Sequence, residues 1–205
     1  MTIDFIPELP TDSANYDVLT RGVMRASNVP GLTCEIGLRR GGGSKAIVDA
    51  IVESGVKKTH IAIDPYGNIE YVDSDTRVLR GGYTNAMRDE CLVNLYLYCR
   101  RNEISFYFFN LEDSEFFRRY ADGVPTYEHE KRIVNEYSFV HFDGPHSAAA
   151  VAAEVEFFHP RARPGAVFVF DDVNVYDHRK VDDLLEERDW ELYETSERKW
   201  AYYKR

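Results

Sequence analysis

Acidic residues close almost every short apolar run of this 205-residue chain. Glu35 stands in LTCEIG, Asp64 ends THIAID, Glu112 or Asp113 follows ISFYFFN, Asp143 ends FVHFD, and Asp171-Asp172 follow AVFVF. Carboxylates gathered on one rim repel each other unless a cation or a hydroxyl-rich ligand lies among them. After Glu35 come Gly37, then Gly41, Gly42, Gly43 and Ser44, opening a helical pattern with Ile47, Val48, Ile51 and Val52 on one face. Glycines at such a turn let backbone N–H groups and a helix N-terminus come up to a ligand. The spacing is neither G-x-G-x-x-G nor G-x-x-x-x-G-K-[ST]. A charge at Glu35 opposes a pyrophosphate and suits a cationic or ribose-bearing ligand, which points to S-adenosylmethionine rather than a nucleotide phosphate.

Each acid also has a purely structural use. Asp64 can shape the D-P-Y-G turn, and Glu112-Asp113 can start a short helix over 115–120. Asp143 can shape D-G-P-H-S, and Asp171-Asp172 can open a helix or a solvated loop. His146 lies three residues after Asp143. Its imidazole can serve as a general base near neutral pH, as a further ligand or partner of the acid, or only as a cap of the next helix.

The elements that must position these residues alternate along the chain. An irregular arm over 1–11, with Pro7 and Pro10, precedes a helix capped by Asp12 or Ser13 and running to Ser27. Strands are expected at 32–36, 59–64, 104–110, 139–143 and 166–170. Helices are expected after Ala46, from Thr84 to Arg101, over 126–136, from Ser147 to Phe158, and over 179–188. Residues 66–83 carry no clear period and read as a loop or hairpin excursion. Pro164-Gly165 reads as a turn, and two alternating runs, 190–195 and 199–203, read as an antiparallel hairpin. Five strand–helix alternations with apolar strands mean an α/β fold, a mostly parallel sheet covered on both faces.

Composition bounds the rest. The length suits one domain, 1–205, made of an N-terminal arm and helix (1–29), the core, and an excursion over 66–101, expected to form the substrate cap, that carries Tyr66, Tyr71, Arg77, Arg80, Tyr83 and Arg88. A net charge of −10 argues against nucleic acid as a partner. No apolar run approaches the roughly 20 residues of a membrane span, and the acidic N-terminus does not resemble a signal peptide. Cys34, Cys91 and Cys99 are expected to be reduced packing residues, so the expected location is cytoplasmic. A homo-oligomer is left open.

Taken together, E-I-G-x-x-x-G-G-G-S, Asp64, H-F-D-G-P-H-S and P-G-A-V-F-V-F-D-D resemble a class I S-adenosylmethionine-dependent methyltransferase. More narrowly, they resemble the sugar O-methyltransferase group that includes the macrocin and aminocoumarin enzymes and is related to catechol O-methyltransferase. The resemblance implies a Rossmann-like seven-stranded sheet of order 3-2-1-4-5-7-6 with strand 7 antiparallel. It places Glu35, Gly37, Gly41, Gly42, Gly43 and Ser44 against the methionine part of the cofactor, Asp64 on the ribose, and Asp113 with Ser114 on the adenine. It implies a Mg²⁺ ion held by Asp143, Asp171 and Asp172, with Asp143 and His146 as the catalytic pair. The chain departs from the commonest form, D-G-D-H-S, by carrying Pro145 in place of the second acid.

The function expected on these grounds is O-methyl transfer to a small hydroxylated molecule, with Mg²⁺ orienting the acceptor oxygen. Two other readings stand beside it. One is a hydroxylase-like relative with a redox-active metal held by His146 and carboxylates. The other is a non-catalytic module that binds S-adenosylmethionine with the Glu35–Asp64 end alone.

Overall fold

The alternation in LTCEI is the key to the architecture. Successive side chains of a strand point to opposite faces. Leu32, Cys34 and Ile36 enter one apolar core, while Thr33 and Glu35 turn to the other face and are buried there as well. The computed structural model describes residues 8–11, 13–74, 77–79 and 82–205, and of 72–74, 77 and 79 the backbone alone. Asp12 and Arg80, and the Arg77 side chain, thus lie outside the described part.

In chain order the elements are α1 (Tyr16–Arg25), β1 (Leu32–Ile36), α2 (Gly42–Ser54), β2 (Thr59–Ile63), β3 (Tyr71–Ser74), β4 (Arg77–Leu79), α3 (Asn85–Arg101) and β5 (Ser105–Phe109). They continue with α4 (Asp113–Arg119), β6 (Val124–Tyr127), β7 (Lys131–Val134), β8 (Tyr137–Phe142), α5 (Ala148–Phe158), β9 (Ala162–Phe170), α6 (Arg179–Glu186), β10 (Trp190–Thr195) and β11 (Trp200–Lys204). Seven strands form one sheet in the order β10-β11-β9-β8-β1-β2-β5. Only β11 runs antiparallel to its neighbours. Counted along this sheet alone, that is the expected order 3-2-1-4-5-7-6.

Helices cover both faces. Val18, Leu19 and Val23 of α1 and Ile47, Ala50 and Ile51 of α2 pack on Phe139, Val167 and Val169. Cys91, Leu95 and Cys99 of α3 pack on Ala62 and Phe106 beside them. On the opposite face, Phe116, Val151, Val155, Phe158, Val181 and Leu185 bring α4, α5 and α6 against the apolar side of β1, β2, β8 and β9. All three cysteines are buried and unbridged.

Capping fixes two helix starts where the sequence places them. Thr84 Oγ1 accepts from the Met87 N–H at 3.1 Å, and Ser147 Oγ accepts from the Ala150 N–H at 3.3 Å. The cap of α5 is therefore Ser147 and not His146. Three expectations need correction. α1 starts at Tyr16 behind Asn15, because the Ser13 hydroxyl is used elsewhere. Residues 126–136 hold no helix; β6 and β7 form a hairpin, in which Val124 and Thr126 alternate with the less buried Pro125 and Tyr127. Pro164-Gly165 makes a bulge inside β9 rather than a turn before it, with the register jumping from Tyr137↔Ala162 to Phe139↔Val167.

The stretch 66–101 divides in two. Its helix, α3, belongs to the core, while β3 and β4 form a separate two-stranded ribbon after the end of β2. Among the described residues no helix is long and apolar enough to cross a membrane.

Candidate functional site

Ligands of open α/β sheets bind beyond the carboxyl ends of the strands, and a cavity of about 360 Å³ lies there. Its size falls in the roughly 300–1,000 Å³ range of small-molecule sites. Ile36 and Gly37 after β1, Ile63 and Asp64 after β2, Leu111 to Asp113 after β5, and Gly144 to Ser147 after β8 line it. Ile69, Glu70, Tyr71 and Tyr83 close it from the ribbon side, with the rings of Tyr71 and Tyr83 4.7 Å apart.

Asp64 sits at the base of this cavity and is 1% exposed. Its Oδ2 accepts from the Arg39 N–H at 2.9 Å and its Oδ1 from the Tyr66 N–H at 3.0 Å. It therefore shapes the turn and also faces the cavity, since each carboxylate oxygen has a second lone pair. Burial pushes its pKa up to about 6, against the pull of those backbone donors. Gly37 holds a φ of 85°, and a side chain there would strike the Asp143 carbonyl oxygen at 1.9 Å. That close approach brings the turns after β1 and β8 together under the cavity.

Not every expected binding residue reaches it. Asp113 lines the cavity, but Ser114 is exposed on α4 and is absent from the lining. Gly41 and Gly42 lie against the N-terminal arm instead: Cβ atoms there would come within 2.9 Å of Leu9 and 2.8 Å of the Pro10 carbonyl oxygen. Gly43 makes room for Glu35, whose Oε1 would be 1.9 Å from a Cβ.

Glu35 and Ser44 belong to a buried polar chain beneath α2. Ser44 Oγ donates to Glu35 Oε2 and lies 2.8 Å from His60 Nε2. Thr33 Oγ1 lies 3.0 Å from His60 Nδ1, and Glu35 Oε1 shares a hydrogen bond with His141 Nδ1 at 2.9 Å. A neutral His60 satisfies both neighbours, donating to Ser44 and accepting from Thr33. Burial drives the pKa of His60 down to about 3 and that of His141 to about 4. This chain pairs polar groups that would each cost free energy if buried alone, and it holds the Gly41–Ser44 turn from below.

The far half of the rim is built differently. Asp171 is 1% exposed and Lys199 0%, and their Oδ2 and Nζ lie 2.6 Å apart. Ser13 Oγ donates to the same oxygen at 2.8 Å and accepts from Lys199 Nζ at 2.9 Å. The other oxygen of Asp171 accepts from the Asp172 N–H at 2.7 Å. Asp172 takes a left-handed φ of 48°, unusual for a residue with a side chain. Its Oδ1 accepts from Arg198 Nε at 2.7 Å, and its Oδ2 stands 3.8 Å from His146 Nε2. Asp143 Oδ1 stands 3.7 Å from the same nitrogen. Burial and the neighbouring Asp171 raise the Asp143 pKa. For Asp171, burial also pushes upward, but Lys199 outweighs it and holds the carboxyl ionised.

A divalent ion of the Mg²⁺ kind needs several oxygens free to converge on it. The expected trio does not offer them, because Asp171 and Asp172 already face the cations Lys199 and Arg198, and the Asp171 oxygen that meets Lys199 holds Ser13 as well. Among the described residues, the group of three acid, histidine or cysteine side chains whose donor atoms all lie within 4.8 Å is Glu35, His141 and Asp143, and its first two members bond to each other. Asp143, Asp171 and Asp172 thus do not fit magnesium. Neither cation is marked in the sequence, because Arg198 looks like an ordinary residue of a polar turn and Lys199 like the exposed start of the closing strand.

The comparisons with known proteins agree with this geometry. The family described as "Methyltransferase domain" matches residues 34–173. Among solved structures, the O-methyltransferase NovP shares 17% identity at a TM-score of 0.65, over 92% of this chain and 78% of that one. The calicheamicin methyltransferase CalS11 shares 12% at 0.63, over 92% and 76%. An O-methyltransferase from Bacillus cereus in complex with SAH shares 13% at 0.58, over 96% and 84%. No curated protein matches the chain in sequence. At these identities the likeness is one of fold.

Proposed function

This chain belongs to the methyltransferase-domain family, and on that premise we propose that it is an S-adenosylmethionine-dependent O-methyltransferase acting on a small hydroxylated molecule. One observation carries the reading: a single cavity is lined by both the buried Asp64 carboxylate and His146, with Gly37 and Asp113 in the same lining. The residues present fit the cofactor. A carboxylate with two outward lone pairs suits the paired hydroxyls of a ribose, and Asp113 stands farther along the same wall for the base. When bound, S-adenosylmethionine supplies an electrophilic methyl group on a sulfonium.

The protein's part is alignment, proton handling and exclusion of water. His146 takes the proton of the acceptor hydroxyl, and the Asp143 and Asp172 carboxylates, each under 4 Å away, stabilise the imidazolium that results. With Pro145 where an acid is commonest, Asp143 is the carboxylate of that loop that stands beside His146. Tyr71, Tyr83 and Ile69 on the ribbon side form the acceptor wall, an apolar and aromatic surface with Glu70 beside it. Transfer proceeds without magnesium, since two of the three acids that would hold it are already paired with Lys199 and Arg198. A hydroxylase with a redox metal gains nothing from the same donor set.

The test is methyl transfer from labelled S-adenosylmethionine to a panel of small phenols and sugars. His146→Ala should lose turnover by about 100-fold or more, the scale of a general base, while still binding S-adenosylhomocysteine. Full activity in that variant would remove the base from the reading.

A further inference from the structure

We propose that Lys199 and Arg198 stand in for a divalent ion at the ends of β8 and β9, making this a methyl-transfer site whose counter-charge is built into the chain. The inference rests on the methyltransferase reading of the cavity and deepens it. Lys199 Nζ is wholly buried, lies 2.6 Å from Asp171 and is held by Ser13 on its other side. Arg198 donates to Asp172 from the open side of the same pair. The ring of Tyr16 lies 5.2 Å from the ammonium, so α1 and the arm before it close the position from above. Three carboxylates converge on this half of the rim, and two fixed cations offset them. An ammonium can neutralise and orient such acids, but it has no exchangeable positions for acceptor oxygens.

Two consequences follow from that difference. Lys199 is a positioning residue: it is too buried to touch an acceptor, and it acts by holding Asp171, and through it Asp172, in place beside His146. The acceptor, in turn, is oriented by the cavity wall and His146 and needs no pair of neighbouring oxygens to chelate an ion.

The full chain, stripped with EDTA, is titrated with Mg²⁺ and with Mn²⁺ by calorimetry and melted with and without each ion. S-adenosylhomocysteine is titrated into the same samples. The wild type is expected to show no heat and no melting shift at millimolar Mg²⁺. Lys199→Met takes the cation away from Asp171 Oδ2, leaving that oxygen with Ser13 as its partner, and should gain about tenfold or more in Mg²⁺ affinity, with a melting temperature that now rises with the ion by mass action. Arg198→Gln frees only the partly buried Asp172 and should show a smaller gain of the same sign, and it serves if Lys199→Met does not fold. A merely structural lysine would leave divalent affinity unchanged when removed. The proposal is overturned if the wild type binds Mg²⁺ and Asp171→Asn abolishes that binding, or if no folded variant gains affinity. Failure of the wild type to bind S-adenosylhomocysteine would strike the methyltransferase reading alone, with the ion titrations still deciding the cations.

Discussion

The two halves of the strand-end rim use the same residue type to opposite ends. On the β1–β2–β5 side, Asp64 accepts from the backbone N–H groups of Arg39 and Tyr66 and lines the cavity. On the β8–β9–β11 side, Asp171 and Asp172 face a lysine and an arginine from the closing hairpin, and their charge is spent inside the protein. The contrast shows that a strand-end carboxylate is not by itself a binding site. What decides is whether the fold brings it a cation, and in this chain the cations arrive from residues far along the sequence.

The sharpest way to break that contrast is to remove the internal cation. Lys199→Met leaves Asp171 buried and unpaired, and should cost about 3–5 kcal/mol of stability, the usual result of breaking one side of a buried pair. Urea unfolding measures it. A cost below about 1 kcal/mol would mean that the pair behaves like an exposed one and the two halves are not so different.

The next largest effect lies on the open half. Asp64→Ala removes a charged acceptor from two hydroxyls, each bond worth about 1.5–3 kcal/mol, so S-adenosylhomocysteine affinity should fall by at least about tenfold. The same variant leaves the Arg39 and Tyr66 N–H donors without their acceptor, so it should also unfold more easily than the wild type, and its affinity is read well below its melting temperature. Unchanged affinity in a folded Asp64→Ala protein would leave Asp64 a turn residue only.

The pH dependence separates the halves further. With its pKa raised to about 6 by burial, Asp64 is protonated below that value and ionised above it. The ionised form is the better acceptor, so S-adenosylhomocysteine affinity should rise with pH through about 6 and then level off. For folding the sign is reversed: a carboxyl raised above its unfolded value of about 3.9 favours the native state at low pH, and that contribution is lost as pH rises through about 6. Asp64→Asn should flatten the affinity profile between pH 5 and 7. A profile that persists in the variant would assign the titration to another group, Asp143 first.

The architecture of the sheet was readable from the sequence because it rests on local pattern. Apolar runs such as THIAI and SFYFF, the Thr84 and Ser147 caps, and the closing hairpin each announce themselves within a few residues. The helix expected over 126–136 failed for a local reason too, since Val124, Thr126, Ile133 and Val134 are strand formers placed about a short turn. The site was readable only in part. Asp64, Asp113, Gly37 and His146, which line the cavity, stand out in the sequence because they end strands or flank turns. Glu35 was seen as an acid facing a ligand, whereas it is tied to Ser44 and His141, a pairing that needs three elements in register. Ser13, read as a helix cap, and Arg198 and Lys199 carry no signal of a buried ion pair, because a serine before a helix and two basic residues beside a turn match any surface.

The smallest expected effect concerns Arg198→Gln. Its partner Asp172 is 18% exposed and the arginine 34%, so solvent screens the pair and the loss should be about 1 kcal/mol or less. A larger loss would place the rim's counter-charge in Arg198 more than in Lys199.

The central claim is that the open half of the rim is a cofactor site of the S-adenosyl type. Its most direct test is a set of calorimetric titrations of the wild-type chain with S-adenosylhomocysteine, ATP and NAD at pH 7.5 in the absence of divalent ions. The account predicts that S-adenosylhomocysteine binds tightest, at one site per chain and without any need for added metal. Binding of ATP or NAD at equal or higher affinity, or no binding of S-adenosylhomocysteine at all, would contradict it.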